Sequence, residues 1–287
     1  MKPSWLKTKI FLDSGDPKET KQAFNMLKFL DGQTTNPTLI AKNPEVQERL
    51  GQGERFSKNE IKKRYQDIIE EINKVIFKKN TSISVEIYAD QSTSIIEMVT
   101  QAMEMSNWIN NVHIKLPITS HGLKAAQELI KRGKRLNMTL CFTQAQAAAV
   151  YAATKGAKKG QVFISPFVGR LDDQGQDGMS LVKNILKMYK QSDKHVQVLT
   201  ASVRNLNHFL SALNLGSDII TASFKVLKEW KQNGLLHGKD FTAQSNLKEI
   251  KYKEFDLNQD WSVFNIYHEL TDQGLEKFAH DWQALIK

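Results

Sequence analysis

Apolar residues recur along the chain in runs of four to six, at fairly even intervals, and each run is followed by a longer stretch with helical periodicity. Short apolar runs suit strands buried on both faces and the periodic stretches suit amphipathic helices, so the alternation predicts repeated βα units. The predicted strands are Lys9–Asp13, Gly32–Thr35, Ser82–Tyr88, Val112–Leu116, Leu136–Cys141, Gln161–Ser165, Val196–Thr200 and Asp218–Thr221. The predicted helices are Lys18–Leu30, Lys58–Phe77, Ser92–Trp108, Ser120–Lys131, Thr143–Thr154, Met179–Lys190, Arg204–Ala212 and Phe224–Asn233. Eight of each, alternating, predict an α/β fold, a single closed (β/α)8 TIM barrel. Gly32–Thr35 has little apolar content and reads equally well as a loop, which keeps an open sheet as the alternative. Lys42–Asn59 is polar and lacks periodicity, the pattern of an irregular loop of the often mobile kind. After Asn233 the rhythm stops: Gly234–Asp260 is a polar connector to Trp261–Lys287, which contains a helical run ending in Phe278–Trp282. The expected organisation is a catalytic barrel over residues 1–233 and a C-terminal helical extension over 234–287 packed on it, not a separate domain.

A chain of 287 residues, 40% hydrophobic and 25% charged, has the balance of a globular protein. The first residues are broken by Lys7, Lys9 and Asp13, unlike a signal peptide, and no later stretch reaches the ~18 apolar residues of a membrane span. Cys141 is the single cysteine and has no partner for an internal disulfide. The expected location is therefore the cytoplasm, with no membrane partner. A net charge of +9 favours anionic partners without choosing among them. The lysines run from Lys2 to Lys287 with no polybasic tail carrying interleaved aromatics, so nucleic acid is not expected. A homo-oligomer is left open. The histidines form no paired cluster, His113 and His121 being eight apart, and Lys155–Gly160 lacks a Walker or Rossmann frame, so neither a metal nor a cofactor is expected.

A lysine inside an apolar strand is unusual, because an unpaired buried ammonium is costly and tends to lose its proton. Lys115, in Val112-His113-Ile114-Lys115-Leu116-Pro117, is such a lysine. Strand residues alternate sides, so His113 and Lys115 share one face and Ile114 and Leu116 the other. The ordinary explanation of a lysine at a strand end is that it snorkels to solvent or pairs with a carboxylate. Two carboxylates change its meaning here. Glu86 has apolar neighbours in Ser84-Val85-Glu86-Ile87, and Asp13 ends the run Ile10-Phe11-Leu12-Asp13. All three fall at or near C-terminal strand ends, where barrel active sites lie. An amine beside acid and base carboxylates is what imine chemistry on a ketone requires.

The motifs around these residues make the resemblance specific. Thr34-Thr35-Asn36-Pro37-Thr38-Leu39-Ile40 is similar to a transaldolase signature, and Val112–Thr119 resembles the Schiff-base strand of that family. Asn137–Ala147, Ile164-Ser165-Pro166-Phe167-Val168-Gly169-Arg170 and Ala201-Ser202-Val203-Arg204-Asn205 resemble three further family segments, in the family's order. The resemblance runs from Lys9 to about Trp230 and touches the tail from Glu269 to Trp282.

What it implies is a metal-free transfer of a three-carbon dihydroxyacetone unit between sugar phosphates, from sedoheptulose 7-phosphate or fructose 6-phosphate to an aldose phosphate, as in the pentose phosphate pathway. Lys115 would be the Schiff-base lysine and Asp13 the base for carbon–carbon cleavage. Glu86, with Thr139 holding a water, would move protons during imine formation. Thr34 belongs to the substrate-binding set, Asn36 and Asn137 would bind the donor's hydroxyls, and Ser165, Arg170, Ser202 and Arg204 its phosphate. Fructose-6-phosphate aldolase, a related activity that releases dihydroxyacetone, carries a tyrosine where this chain has Phe167. Phe167 therefore points to transfer. The spacing from Glu86 to Lys115 is shorter than in the larger transaldolases and the tail differs, which leaves the acceptor open, a sulfonated sugar included. From another class, a non-catalytic polyanion-binding barrel would use the basic surface and leave Lys115 structural.

Overall fold

In a computed structural model, which describes residues 2–78, 81–190, 192–240 and 246–287, the eight strands close into a parallel barrel. The strands are β1 (Lys9–Asp13), β2 (Gly32–Thr34), β3 (Ser82–Glu86), β4 (Val112–Pro117), β5 (Leu136–Cys141), β6 (Val162–Pro166), β7 (Val196–Val203) and β8 (Ile219–Ala222). Pairing of Lys9 with Ile219 and of Leu12 with Ala222 joins the last strand to the first, so the open-sheet alternative does not hold. The poorly apolar β2 is a true strand because glycine is what its position admits. A Cβ on Gly32 would stand 2.2 Å from the Ser82 carbonyl oxygen and 2.5 Å from the Phe11 ring. Gln33, on the other face, is buried with its amide hydrogen-bonded to Thr20 and to the Ser14 carbonyl.

The sequence sets the helix starts by side-chain caps. Ser57 with Glu60, Ser94 with Glu97 and Thr143 with Gln146 form reciprocal capping boxes. The expected irregular loop over Lys42–Asn59 is instead partly helical, from Pro44 to Gly51. Asn43 caps it, Pro44 occupies its first turn, and fully buried Val46 packs in a small cluster with Phe56, Ile61 and Leu285. Eight residues with one buried apolar position present too little periodicity to be seen.

Two strands bulge near the C-terminal end of the barrel. The register shifts between Met138 and Cys141 in β5 and between Thr200 and Val203 in β7, where Leu140 and Ser202 take left-handed backbone angles. The predicted seventh strand thus continues three residues past Thr200.

Beyond the barrel, the tail is tied to it at several levels. Lys248-Glu249 pairs with Gln176-Asp177, and the Trp261 indole donates to Gln127. The helix Glu269–Gln283 buries Leu270, Leu275 and Phe278, and its Thr271 hydroxyl donates to the Leu140 carbonyl. Its neighbours are strand β5 and the short helix Pro37–Ala41. Among the described residues no helix is long and apolar enough to cross a membrane.

Candidate active site

The alternation of strand side chains puts one set inside the barrel in layers. Near the strand starts, His113 stacks on Phe163 at 3.9 Å, Phe11 meets Phe163 edge-on, and the His113 ring bonds Ser82 Oγ and the Gly160 carbonyl. Burial pushes His113 down to about 3, so this ring is a neutral packing element. Two residues further along each strand, the same faces present Asp13, Thr34, Ser84, Lys115, Asn137, Ser165 and Thr221.

Lys115 is buried, 3% exposed, with its Nζ 2.7 Å from Glu86 Oε2 and donating to the Thr35 carbonyl at 3.0 Å. The strand register explains the ion pair, because Glu86 on β3 stands directly beside Lys115 on β4. Beyond this contact, Glu86 Oε2 has no hydrogen-bond partner among the described residues. Burial raises the Glu86 carboxyl above the usual range, against the opposing charges of Lys115 and Arg170. Thr139, on β5 opposite Pro117, is likewise buried and its hydroxyl lacks a partner among the described residues.

Asp13 lies on β1 and accepts a hydrogen bond from Thr34 Oγ1 at 2.6 Å, while Thr34 and Thr221 share a contact of 2.6 Å. A hydroxyl has one proton. With that of Thr34 given to Asp13, Thr221 is the donor to Thr34. Burial raises the Asp13 carboxyl, and the Thr34 bond and the charge of Lys115 pull it back.

A cavity of about 170 Å³ opens over these groups. Of the residues expected from sequence, Asp13, Thr34, Asn36, Lys115, Ser165, Phe167, Arg170 and Ser202 line it. Asn36 uses its side-chain oxygen to cap the helix Pro37–Ala41. Phe167 meets Phe142 edge-on at 6.0 Å. Arg170 sits between two rings, 5.5 Å from that of Phe167 and 5.6 Å from that of Phe278. Burial lowers its pKa, and it makes no hydrogen bond or ion pair among the described residues.

Four expected residues stand outside the cavity wall. Glu86 and Thr139 are not part of the wall; Glu86 contacts Lys115 and lines a separate cavity with Tyr65, Tyr88 and Trp282. Asn137 is fully buried with both ends of its amide hydrogen-bonded: Nδ2 donates to Ser84 Oγ at 3.0 Å and Oδ1 accepts from Ser165 at 2.7 Å. Asn137 thereby holds Ser165, which lines the cavity. Arg204 also stands outside the wall, with its guanidinium on Asp173 through two hydrogen bonds, Nη1 to Oδ1 at 2.8 Å and Nη2 to Oδ2.

The wall also contains Thr38, Leu39, Leu199, Ala201, Thr221, Lys277 and Phe278, none of them picked out from sequence. Thr221 carried a usable signal, lying at the end of the last strand on the inward register. Lys277 and Phe278 carried none, since a helical tail does not announce which barrel residue it will meet. No cluster of three His, Cys, Asp or Glu side chains suited to a metal is found among the described residues.

The family model described as "Transaldolase/Fructose-6-phosphate aldolase" matches residues 10–287. A probable transaldolase of Dehalococcoides mccartyi is 33% identical over 279 residues, covering 97% of this chain and 100% of the relative. One of Geobacter sulfurreducens is 32% identical over 97% of this chain and 100% of its own length. Among solved structures, a type I 3-dehydroquinate dehydratase from Clostridium difficile gives a TM-score of 0.46 at 14% identity, over 82% of this chain and 94% of that one. With a matching family model over nearly its whole length and a buried lysine, flanked by Glu86 and facing a shared cavity with Asp13, the chain belongs to the transaldolase/fructose-6-phosphate aldolase family.

Proposed function

We propose that the protein is a transaldolase, which moves a dihydroxyacetone unit from a ketose phosphate to an aldose phosphate through an imine on Lys115. The observation that carries this is the 2.7 Å contact between buried Lys115 and Glu86 at the wall of a cavity that also contains Asp13. The lysine Nζ attacks the ketose C2 carbonyl, and the oxygen leaves as water to give an iminium. Glu86, raised by burial, takes and returns the protons of that step, with the Thr139 hydroxyl positioning the water. Asp13 removes the C4 hydroxyl proton, the C3–C4 bond breaks, and its electrons move into the iminium to leave an enamine. An acceptor aldehyde then reverses these steps and hydrolysis frees the product. Asn36 hydrogen-bonds the donor hydroxyls, Asn137 fixes Ser165, and Arg170 and Ser202 hold the phosphate. Arg204 joins that set once it leaves Asp173. Residues 1–233 and the tail 234–287 act as one cytoplasmic catalytic unit. Trapping tests the assignment: borohydride with fructose 6-phosphate should leave one sugar adduct, absent in Lys115→Ala, whose turnover should fall at least ~10³-fold. An adduct that persists in Lys115→Ala refutes it.

The family joins two activities, and Phe167 favours transfer. Its ring lines the cavity without a hydroxyl to organise water near the enamine. Phe167→Tyr should raise free dihydroxyacetone release from fructose 6-phosphate relative to transfer to erythrose 4-phosphate, read in a coupled assay. Wild-type enzyme that releases as fast as it transfers is an aldolase, and the preferred reading then fails.

A further inference from the structure

The C-terminal helix Glu269–Gln283 contributes two residues to the cavity wall, Lys277 and Phe278. Both share that wall with Arg170. The Phe278 ring flanks its guanidinium, and Gly274, one turn earlier, leaves room for it. A Cβ on Gly274 would stand 2.7 Å from Arg170 Nη1 and 2.6 Å from Leu140 Cδ2. A guanidinium has five donors, so one that lines a cavity with no acceptor among the described residues is set to receive an anion.

Lys277 adds a second positive charge to the same wall. Among the described residues its partner is Asp281, one turn on, at 3.1 Å, and the Lys277 side chain is 56% exposed on a flexible stem. Asp281 does not depend on Lys277 alone, since it also accepts a hydrogen bond from Thr38 Oγ1. That bond ties the helix to Pro37–Ala41 and so holds Lys277 at the cavity. Lys277 can turn from Asp281 toward an incoming anion without leaving that carboxylate stranded. We infer that Lys277 is a specificity-determining residue that contacts the phosphate of the bound sugar alongside Arg170. The C-terminal helix thereby supplies part of the anion site. The inference deepens the proposed function and rests on its ketose phosphate donor.

The test uses the full chain and two measurements. Calorimetric titration with inorganic phosphate should show binding to the wild type, about tenfold weaker in Lys277→Gln and largely restored in Lys277→Arg. The ratio of kcat/KM for fructose 6-phosphate to that for unphosphorylated fructose should fall by a similar factor in Lys277→Gln. Gly274→Ala, which pushes on Arg170 instead, should shift both quantities in the same direction. Equal phosphate affinity in wild type and Lys277→Gln overturns the inference, as does no measurable phosphate binding to the wild type. So does an equal loss of kcat/KM on both sugars, which marks Lys277 as a partner of Asp281 alone. A wild type that traps no sugar on Lys115 sinks the transferase reading, while the phosphate titration still decides the role of Lys277.

Discussion

Glu86 is buried and Asp13 half-buried, and burial raises both, but only Glu86 touches Lys115; Asp13 is held instead by the Thr221–Thr34 hydroxyl pair. On the proposed mechanism the different partners divide the proton work: the carboxylate at the amine suits imine formation, and the one on β1 suits a hydroxyl further along the sugar. The same burial costs stability. A carboxyl whose pKa is raised on folding binds its proton more tightly in the native state, so its contribution is fully present below the unfolded value and is lost as pH rises through the folded one. Asp13→Asn removes the buried charge and keeps the shape. It should raise Tm by about 2 °C at pH 8, with a smaller gain at pH 5, while slowing carbon–carbon cleavage and sparing the borohydride adduct. Thermal melts at the two pH values check the first part. A variant less stable than wild type at pH 8 would show that the Thr34 bond outweighs desolvation.

At the scale of elements, strand alternation places most of the candidate site, and this is why so much of its position was legible. Asp13, Glu86, Lys115, Thr139 and Ser165 all stand on apolar strands whose register can be read from their neighbours. The helix Pro44–Gly51 was not legible, because what holds it is a cap and one buried valine. Asn43 is its anchor: Oδ1 accepts from the Glu45 and Val46 amides, and Nδ2 donates to the Gly15 carbonyl at 2.8 Å. Asn43→Ala should cost about 1.5 kcal/mol in urea unfolding and raise amide exchange over residues 44–51 above that of the barrel strands. Asn43→Asp keeps the capping oxygen, loses the bond to Gly15, and should fall between the two. An Asn43→Ala chain as stable as wild type would mean that Val46 and Leu285 hold this helix without its cap.

Across the whole molecule, the parts that sequence did not yield are those made by distant segments meeting. Arg204 answers to Asp173, Asn137 to Ser84, and Arg170 to Phe278, and no local pattern encodes such pairings. Positive charge also gathers away from the candidate site. Lys159, Lys187, Lys190 and Lys194 surround a second cavity beside Val196 and Asp218, at the strand starts, away from Lys115 at the other end of the barrel. Closure of the barrel has one more consequence, which concerns handedness. Lys115 on β4 and Asp13 on β1 come from separate arcs of one rigid ring, so an enamine anchored to the first can offer only one of its two faces to the second. On the proposed mechanism, the acceptor aldehyde is met from a single side, and the newly formed stereocentres are written by the order of the strands.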